Sequence, residues 1–179
     1  SGSGKTTLAL AALAGKKFSG KLEKSVSFTT RPARRGEKDQ GDYFFISERE
    51  FLQRLKEQKV LEWTKYLGYY YGTDRDFVDS QLKISQSLVL CLDLKGAARV
   101  KELYPKNAVT IFIMPPSLEE LVRRIENRHR ETSKEEIKKR LRLAKREMAS
   151  AGEFDFCVVN NDLVQAVKVL KGIIAQKIR

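Results

Sequence analysis

Ser1-Gly2-Ser3-Gly4-Lys5-Thr6-Thr7 runs without a break into Leu8-Ala9-Leu10-Ala11-Ala12-Leu13. Gly4, Lys5 and Thr6 occupy the last three places of the pattern G-x-x-x-x-G-K-[ST], and the apolar stretch that follows is a helix. Glycines let successive backbone N–H groups turn inward around phosphate oxygens, and the helix adds its positive N-terminal end. In that pattern the lysine reaches the β- and γ-phosphates and the hydroxyl of Thr6 ligates Mg²⁺. A flexible Gly/Ser start would have no reason to continue as Lys-Thr-Thr and an apolar helix. The stretch marks a nucleotide-phosphate site built from Gly2, Gly4, Lys5, Thr6 and Thr7. Such a loop hangs from a buried strand that commonly lies in mid-sheet. That strand, with the first glycine of the pattern, is expected upstream of Ser1.

The rest of the chain reads as alternating helices and strands, the signature of an α/β fold with a parallel sheet. Ser87–Leu94 is a near-continuous apolar run ending at Asp93, suited to a strand buried on both faces. Ala108–Met114 is a second, stopped by Pro115-Pro116, and Phe156–Val159 a third, ended by Asn160-Asn161-Asp162. Ser47 with Glu50, Ser117 with Glu120 and Ser133 with Glu136 are capping boxes that open helices. Leu118, Leu121, Val122 and Ile125 then keep helical spacing, as do Ile137, Leu141, Ala144 and Met148. A final helix is predicted from about Leu163 to Ile178, with Val167, Leu170, Ile174 and Ile178 on one face.

Between Ser25 and Thr73 the texture changes to short aromatic segments separated by turns, which reads as a small mixed or antiparallel sheet inserted into the α/β core. The chain thus divides into a core of residues 1–24 and 74–179 and an insert of residues 25–73, together one catalytic unit. At 179 residues the length suits one domain with a small inserted subdomain.

Composition narrows the function. No apolar run approaches the ~18 residues needed to cross a membrane. Cys91 and Cys157 lie in apolar strand-like runs rather than at metal-ligand spacing, so both read as small buried thiols of a reducing cytoplasm. The single histidine, His129, has no partner histidine or cysteine nearby and reads as solvated. A net charge of +12 raises the question of nucleic acid. The basic residues, however, gather at Arg31–Lys38, Arg123–Arg130 and Lys134–Arg146, the last two interspersed with glutamates, and form no continuous tract with interleaved aromatics. Gripping two highly charged small molecules needs such clusters; no nucleic-acid or membrane partner is expected.

A second constellation lies in the insert. Arg31 and Arg34 stand three apart around Pro32, so their guanidinium groups can converge on one phosphate, with Tyr43 and Tyr71 adding hydroxyl donors. Read in isolation, this segment is better described as a solvated basic loop with core tyrosines. Glu62 differs, because it sits in the apolar run Val60-Leu61-Glu62-Trp63 and a buried carboxylate needs a donor partner. Two N–H donors on a guanine edge would satisfy it; adenine does not offer that pair.

Taken together, the opening loop, SVSFTTRPARRGE, DYFFIS, LEWTKYLGYYYGT and IFIMPPSLEEL resemble guanylate kinase over essentially the whole chain. The resemblance implies a P-loop nucleoside-monophosphate-kinase fold with a parallel core, a GMP-binding insert and a helical lid around residues 124–140. It implies the Mg²⁺-dependent reaction ATP + GMP → ADP + GDP in purine nucleotide metabolism, with ATP and GMP as partners, in a cytoplasmic monomer or homodimer. By position, the family's GMP-phosphate ligands fall on Arg31, Arg34, Tyr43 and Tyr71, and its guanine-reading residues on Ser27, Glu62 and Thr73. Asp93 matches an aspartate close to the bound GMP. Lys5, Arg124, Arg128 and Arg140 carry the catalytic charges, and Asn160 lies where adenine is contacted. Two departures stand out: Cys91 replaces a frequent acidic residue near the metal, and Arg128-His129-Arg130-Glu131 is one residue longer than the usual lid turn, with Arg128 favoured over Arg130 by register from Arg124. A non-catalytic interaction module of the same fold is the alternative, and such modules typically lose the phosphate loop retained here.

Overall fold

Short-range sequence signals set where most elements begin and end. A computed structural model describes residues 2–14, 16–128 and 134–178. In chain order they form α1 (Lys5–Leu13), β1 (Leu22–Lys24), β2 (Ser27–Thr29), β3 (Tyr43–Phe45), α2 (Glu48–Lys56), β4 (Val60–Tyr66) and β5 (Tyr69–Asp74). There follow α3 (Arg75–Lys83), β6 (Ser87–Val89), α4 (Leu94–Leu103), β7 (Ile111–Met114), α5 (Leu118–Arg128), α6 (Lys134–Ala149), β8 (Phe156–Val159) and α7 (Leu163–Lys177). The expected box at Ser133 and the histidine at 129 lie outside the described residues.

Five helices, α2, α3, α4, α5 and α7, are capped by side chains that satisfy unpaired N–H groups of the first turn. Ser47 Oγ accepts from Glu50 N and Ser117 Oγ from Glu120 N, both at 3.1 Å. Only half of each box forms: Glu50 is taken up by Arg54, and Glu120 by Arg123 and Arg124. Asp74, Asp93 and Asp162 cap α3, α4 and α7 in the same way.

The chain divides into two units. The first, Ser1–Ala14 with Val109–Arg179, is built on the parallel pair β7–β8. Leu8 and Ala12 of α1 and Ala166 and Leu170 of α7 bury against Ile113 and Val158 of that pair. Leu121, Ile125 and Ala144 form a separate cluster between α5 and α6. The second unit, Gly15–Ala108, holds the parallel pair β1–β6 and a four-stranded sheet in the order β3-β2-β5-β4. That sheet is mixed, since β2 runs parallel to β3 and antiparallel to β5. Phe51 of α2 is fully buried against Phe28 and Val60, worth about 2–3 kcal/mol for the one ring. Leu61, Val78 and Val100 tie β4, α3 and α4 into another cluster.

Three expectations are revised. The strand predicted over Ser87–Leu94 is paired only as far as Val89, because β1 leaves the ladder at Ser25, whose N–H donates to the Val89 carbonyl at 3.1 Å. The residues beyond approach α4, and Asp93 is its cap rather than a strand end. Cys157 is exposed, since Val158 faces the core and successive strand residues face opposite sides. Cys91 is half-buried, and neither cysteine is in a disulfide.

Candidate active site

The first unit holds the phosphate loop. Gly2 and Gly4 adopt φ of +87° and +91°, a region open to glycine at little cost. Gly4 is the N-cap of α1, so Lys5 opens the helix and Thr6 and Thr7, both exposed, follow in its first turn. A β-carbon on Gly4 would run into the Asn160 amide nitrogen. That nitrogen donates to the Ser3 carbonyl at 2.8 Å, and the Asn160 side chain is buried. Asn160 therefore pins the loop from the end of β8. Arg124 reaches the same place: its Nη2 donates to the Asn160 carbonyl at 3.0 Å while Glu120 holds its Nε at 2.8 Å. Arg140 is only 7% exposed on α6. Arg128 ends α5, and Arg130 lies outside the described residues.

The second unit brings the other group together. Ser27 of β2 lies across from both Tyr43 of β3 and Thr73 of β5, and Thr29 faces Tyr71. The register between β4 and β5 shifts between Val60 and Trp63, and Glu62 lies inside that irregularity. Bulges re-aim side chains, often beside active sites. Here Val60, Leu61 and Glu62 are all buried in succession, which a regular strand with one core face would not allow. The Glu62 carboxylate is 7% exposed and accepts a 2.6 Å hydrogen bond from the fully buried Thr73 hydroxyl. Burial, with a smaller push from the Asp93 charge and against the Thr73 hydrogen bond, raises its pKa to about 7. A β-carbon on Gly96, in the first turn of α4, would stand 3.0 Å from Glu62 Cδ and closer still to Oε2.

Arg31 is 8% exposed and tightly constrained. Its Nη2 meets both oxygens of Glu37 at 2.9 Å, its Nη1 donates to the Pro32 carbonyl at 2.6 Å, and its guanidinium lies over the Tyr43 and Phe45 rings. Burial works against its charge, but the Glu37 hydrogen bonds and charge outweigh it and the pKa is raised. The Tyr43 and Tyr71 rings meet edge-on, 6.0 Å apart. Burial first, then Tyr71, push the Tyr43 phenol up, so it stays a hydrogen-bond donor at neutral pH. Cys91 is near enough to add to that push. The Arg34 backbone N–H donates to Glu37 at 2.8 Å.

Sequence reasoning missed the parts played by Glu37, Gly96 and Glu120. Glu37 had one available signal, a carboxylate just after a glycine turn that begins at the second arginine. Glu120 had the spacing of Arg123 and Arg124 three and four residues further along its own helix. Gly96 had none, since its role depends on a neighbour fixed only by the fold.

A family model described as Guanylate kinase matches residues 1–177. The guanylate kinase of Caldanaerobacter subterraneus subsp. tengcongensis is 43% identical, across 100% of this chain and 85% of that protein. That of Chlorobaculum tepidum is 42% identical across 98% of this chain and 88% of its own length. A crystal structure of guanylate kinase from Anaplasma phagocytophilum superposes with a TM-score of 0.80 at 31% identity, covering 98% of this chain and 83% of that one. With the phosphate loop in one unit and a buried carboxylate and arginine pair in the other, the chain belongs to the guanylate kinase family.

Proposed function

We propose that the chain's ATP:GMP phosphotransfer is divided between a phosphate loop that holds ATP and a Glu62-centred site that selects GMP. The observation that carries the selectivity is Glu62 itself: a buried carboxylate with a hydroxyl donor on one oxygen and no basic partner among the described residues. Guanine N1–H and its exocyclic amine supply the two donors such a group lacks. Ser27 and Thr73 read the same edge, and Arg31, Arg34, Tyr43 and Tyr71 receive the nucleotide's phosphate, with Asp93 beside them. In this division residues 25–73 are the GMP-binding insert, residues 1–24 and 74–179 the core, and residues around 124–140 the lid.

No covalent nucleophile is required. A GMP phosphate oxygen attacks the γ-phosphorus in line while the ADP oxygen leaves, and the protein contributes position and charge. Lys5 neutralises charge on the transferring group, and the loop N–H groups cradle the other phosphates. Arg124, Arg128 and Arg140 add charge from the lid, whose closure excludes water that would otherwise take the phosphoryl group.

Mg²⁺ fits the donor set. Thr6 presents an exposed hydroxyl in the first turn of α1. Among the described residues no three His, Cys, Asp or Glu side chains gather into a cage. Mg²⁺ does not need one, because it keeps several waters and takes most other ligands from substrate phosphates. The Thr6 hydroxyl would hold it, and the charge it would supply offsets that of the phosphates.

Among the described residues no helix is long and apolar enough to cross a membrane, and Cys91 and Cys157 form no disulfide, which suits a reducing cytoplasm. The substrates are small molecules, and the acting form is a monomer or homodimer.

The test is ADP release from ATP-Mg²⁺ with GMP, AMP, CMP or UMP in turn. Turnover with GMP alone is expected, and Lys5→Ala should lower it by about 10²-fold or more. Equal use of AMP would sink the Glu62 assignment; a near-normal rate in Lys5→Ala would sink that of the loop.

A further inference from the structure

We propose that Glu37 is a positioning residue for GMP, holding the two phosphate-binding arginines in their receptive arrangement before the nucleotide arrives. This rests on the assignment of Arg31 and Arg34 to the GMP phosphate. The Glu37 N–H donates to the Arg34 carbonyl at 3.0 Å, closing a four-residue turn over Arg34–Glu37. Gly36 takes the third place of that turn with φ of +86°, which a turn of this kind reserves for glycine. The turn sends the Glu37 carboxylate back to Arg31, where both oxygens accept from Nη2 at 2.9 Å. One of them also accepts from the Arg34 N–H at 2.8 Å. A single carboxylate thus fixes the side chain of one arginine and the backbone of the other.

The opposite side is closed as well. The guanidinium lies 5.6 Å from the Tyr43 ring centre and 5.8 Å from that of Phe45, with Pro32 on Nη1. An arginine ordinarily gives up rotamer freedom when it docks an anion. Here that loss is taken during folding instead. Glu37 and Pro32 engage the two terminal nitrogens without exhausting the five N–H donors of a guanidinium, so phosphate can join the arrangement rather than displace the carboxylate.

The experiment compares Glu37→Gln, Glu37→Asp, Arg31→Ala and the Glu37→Gln/Arg31→Ala double variant with the unaltered chain. It measures kcat, KM for GMP, KM for ATP and the melting temperature. Glu37→Gln keeps the shape and one acceptor for the Arg34 N–H but loses the charge on Arg31. Its GMP KM should rise about tenfold, with kcat and the ATP KM changed by less than about twofold, the pattern of lost substrate binding. Glu37→Asp keeps the charge but is one methylene short, and should fall between the two. In the Arg31→Ala background, Glu37→Gln should add about twofold or less, because the partner it positions has gone. An unchanged GMP KM in Glu37→Gln would make Glu37 a spectator, and a lower one would make it a competitor of the phosphate. Equal losses for both substrates with a lowered melting temperature would make it merely structural. Any of the three overturns the proposal. Failure of the underlying assignment reads differently: Arg31→Ala would itself leave the GMP KM unchanged.

Discussion

The Thr73 hydroxyl donates to Glu62 Oε1 across 2.6 Å, from a fully buried strand position onto a carboxylate that no basic side chain neutralises among the described residues. One neutral hydrogen bond does not offset the loss of water around a charge. The free protein therefore tolerates Glu62 as a strained group, which fits a residue kept for a ligand. Glu62→Gln should abolish GMP selectivity while sparing the fold. A site built to accept substrate N–H groups discriminates by roughly 10⁴-fold, and most of that should go. Ratios of kcat/KM for GMP and AMP, set beside a thermal melt, check this. A variant that melts early yet keeps its base preference would leave Glu62 a structural residue.

The raised Glu62 pKa sets a pH dependence for the fold with a definite sign. Its folded value of about 7 lies above the ordinary carboxylate value of 4.5, so the folded state binds this proton more tightly than the unfolded chain. The associated stability is fully present below about pH 4.5 and is lost as pH rises through 7, on the order of 3 kcal/mol. Other carboxylates have opposite dependences, so the difference between the unaltered chain and Glu62→Gln isolates it. In urea melts Glu62→Gln should gain on the unaltered chain as pH rises from 5 to 8.

The same proton should govern substrate binding. Guanine can donate two hydrogen bonds only to an ionised carboxylate, so GMP must expel the proton that Glu62 holds in the free protein. With a pKa of about 7, some ten times more of the protein is ready at pH 8 than at pH 6. The GMP KM should fall by about that factor over this range. The phosphate of GMP titrates near pH 6 as well, but Glu62→Gln retains that contribution. Parallel pH profiles for the two proteins would refute the proton's role.

Legibility followed the distance over which each feature is determined. The phosphate loop, the Ser47 and Ser117 caps and β8 rest on neighbours within four residues, and the strand and helices appear where the sequence places them. β1 and the helices α3 and α4 did not stand out. β1 has three residues, too few to show a period. Asp74 is both the last residue of β5 and the cap of α3, and Asp93, the cap of α4, lies within a single apolar run that hides the end of β6 at Val89. Arg31 was visible as a basic residue beside a proline, but its partner Glu37 comes into reach only through the Gly36 turn. The register shift that buries Glu62 depends on how β4 pairs with β5, and no local pattern in Val60-Leu61-Glu62-Trp63 encodes it.

Gly96→Ala should act on GMP through Glu62. The added β-carbon would stand 3.0 Å from Glu62 Cδ, a distance that forces one group to move. Overpacking of this kind costs about 1–3 kcal/mol, and the carboxylate is the part free to shift. The GMP KM should rise about tenfold, while in a Glu62→Ala background, where the obstructing carboxylate is gone, the same change should have little effect. Equal effects in both backgrounds would place the damage in α4 itself.

Asn160→Ala should loosen the phosphate loop from outside it. The amide nitrogen is buried and donates to the Ser3 carbonyl at 2.8 Å, directly behind the turn that presents Gly4. Truncation leaves that carbonyl without its buried partner, costing about 1–3 kcal/mol, and opens space beside Gly4 into which the loop can relax. The Asn160 backbone carbonyl that receives Arg124 remains in the variant, so the arginine keeps its contact. The ATP KM should therefore rise by about tenfold, with the GMP KM within about twofold of normal. The double variant Gly4→Ala/Asn160→Ala separates space from strain: it relieves the clash of a Gly4 β-carbon with the amide but leaves φ at +91°, so it should remain as impaired as Gly4→Ala alone. Recovery of ATP binding in the double variant would show that room, rather than backbone conformation, is what the glycine supplies.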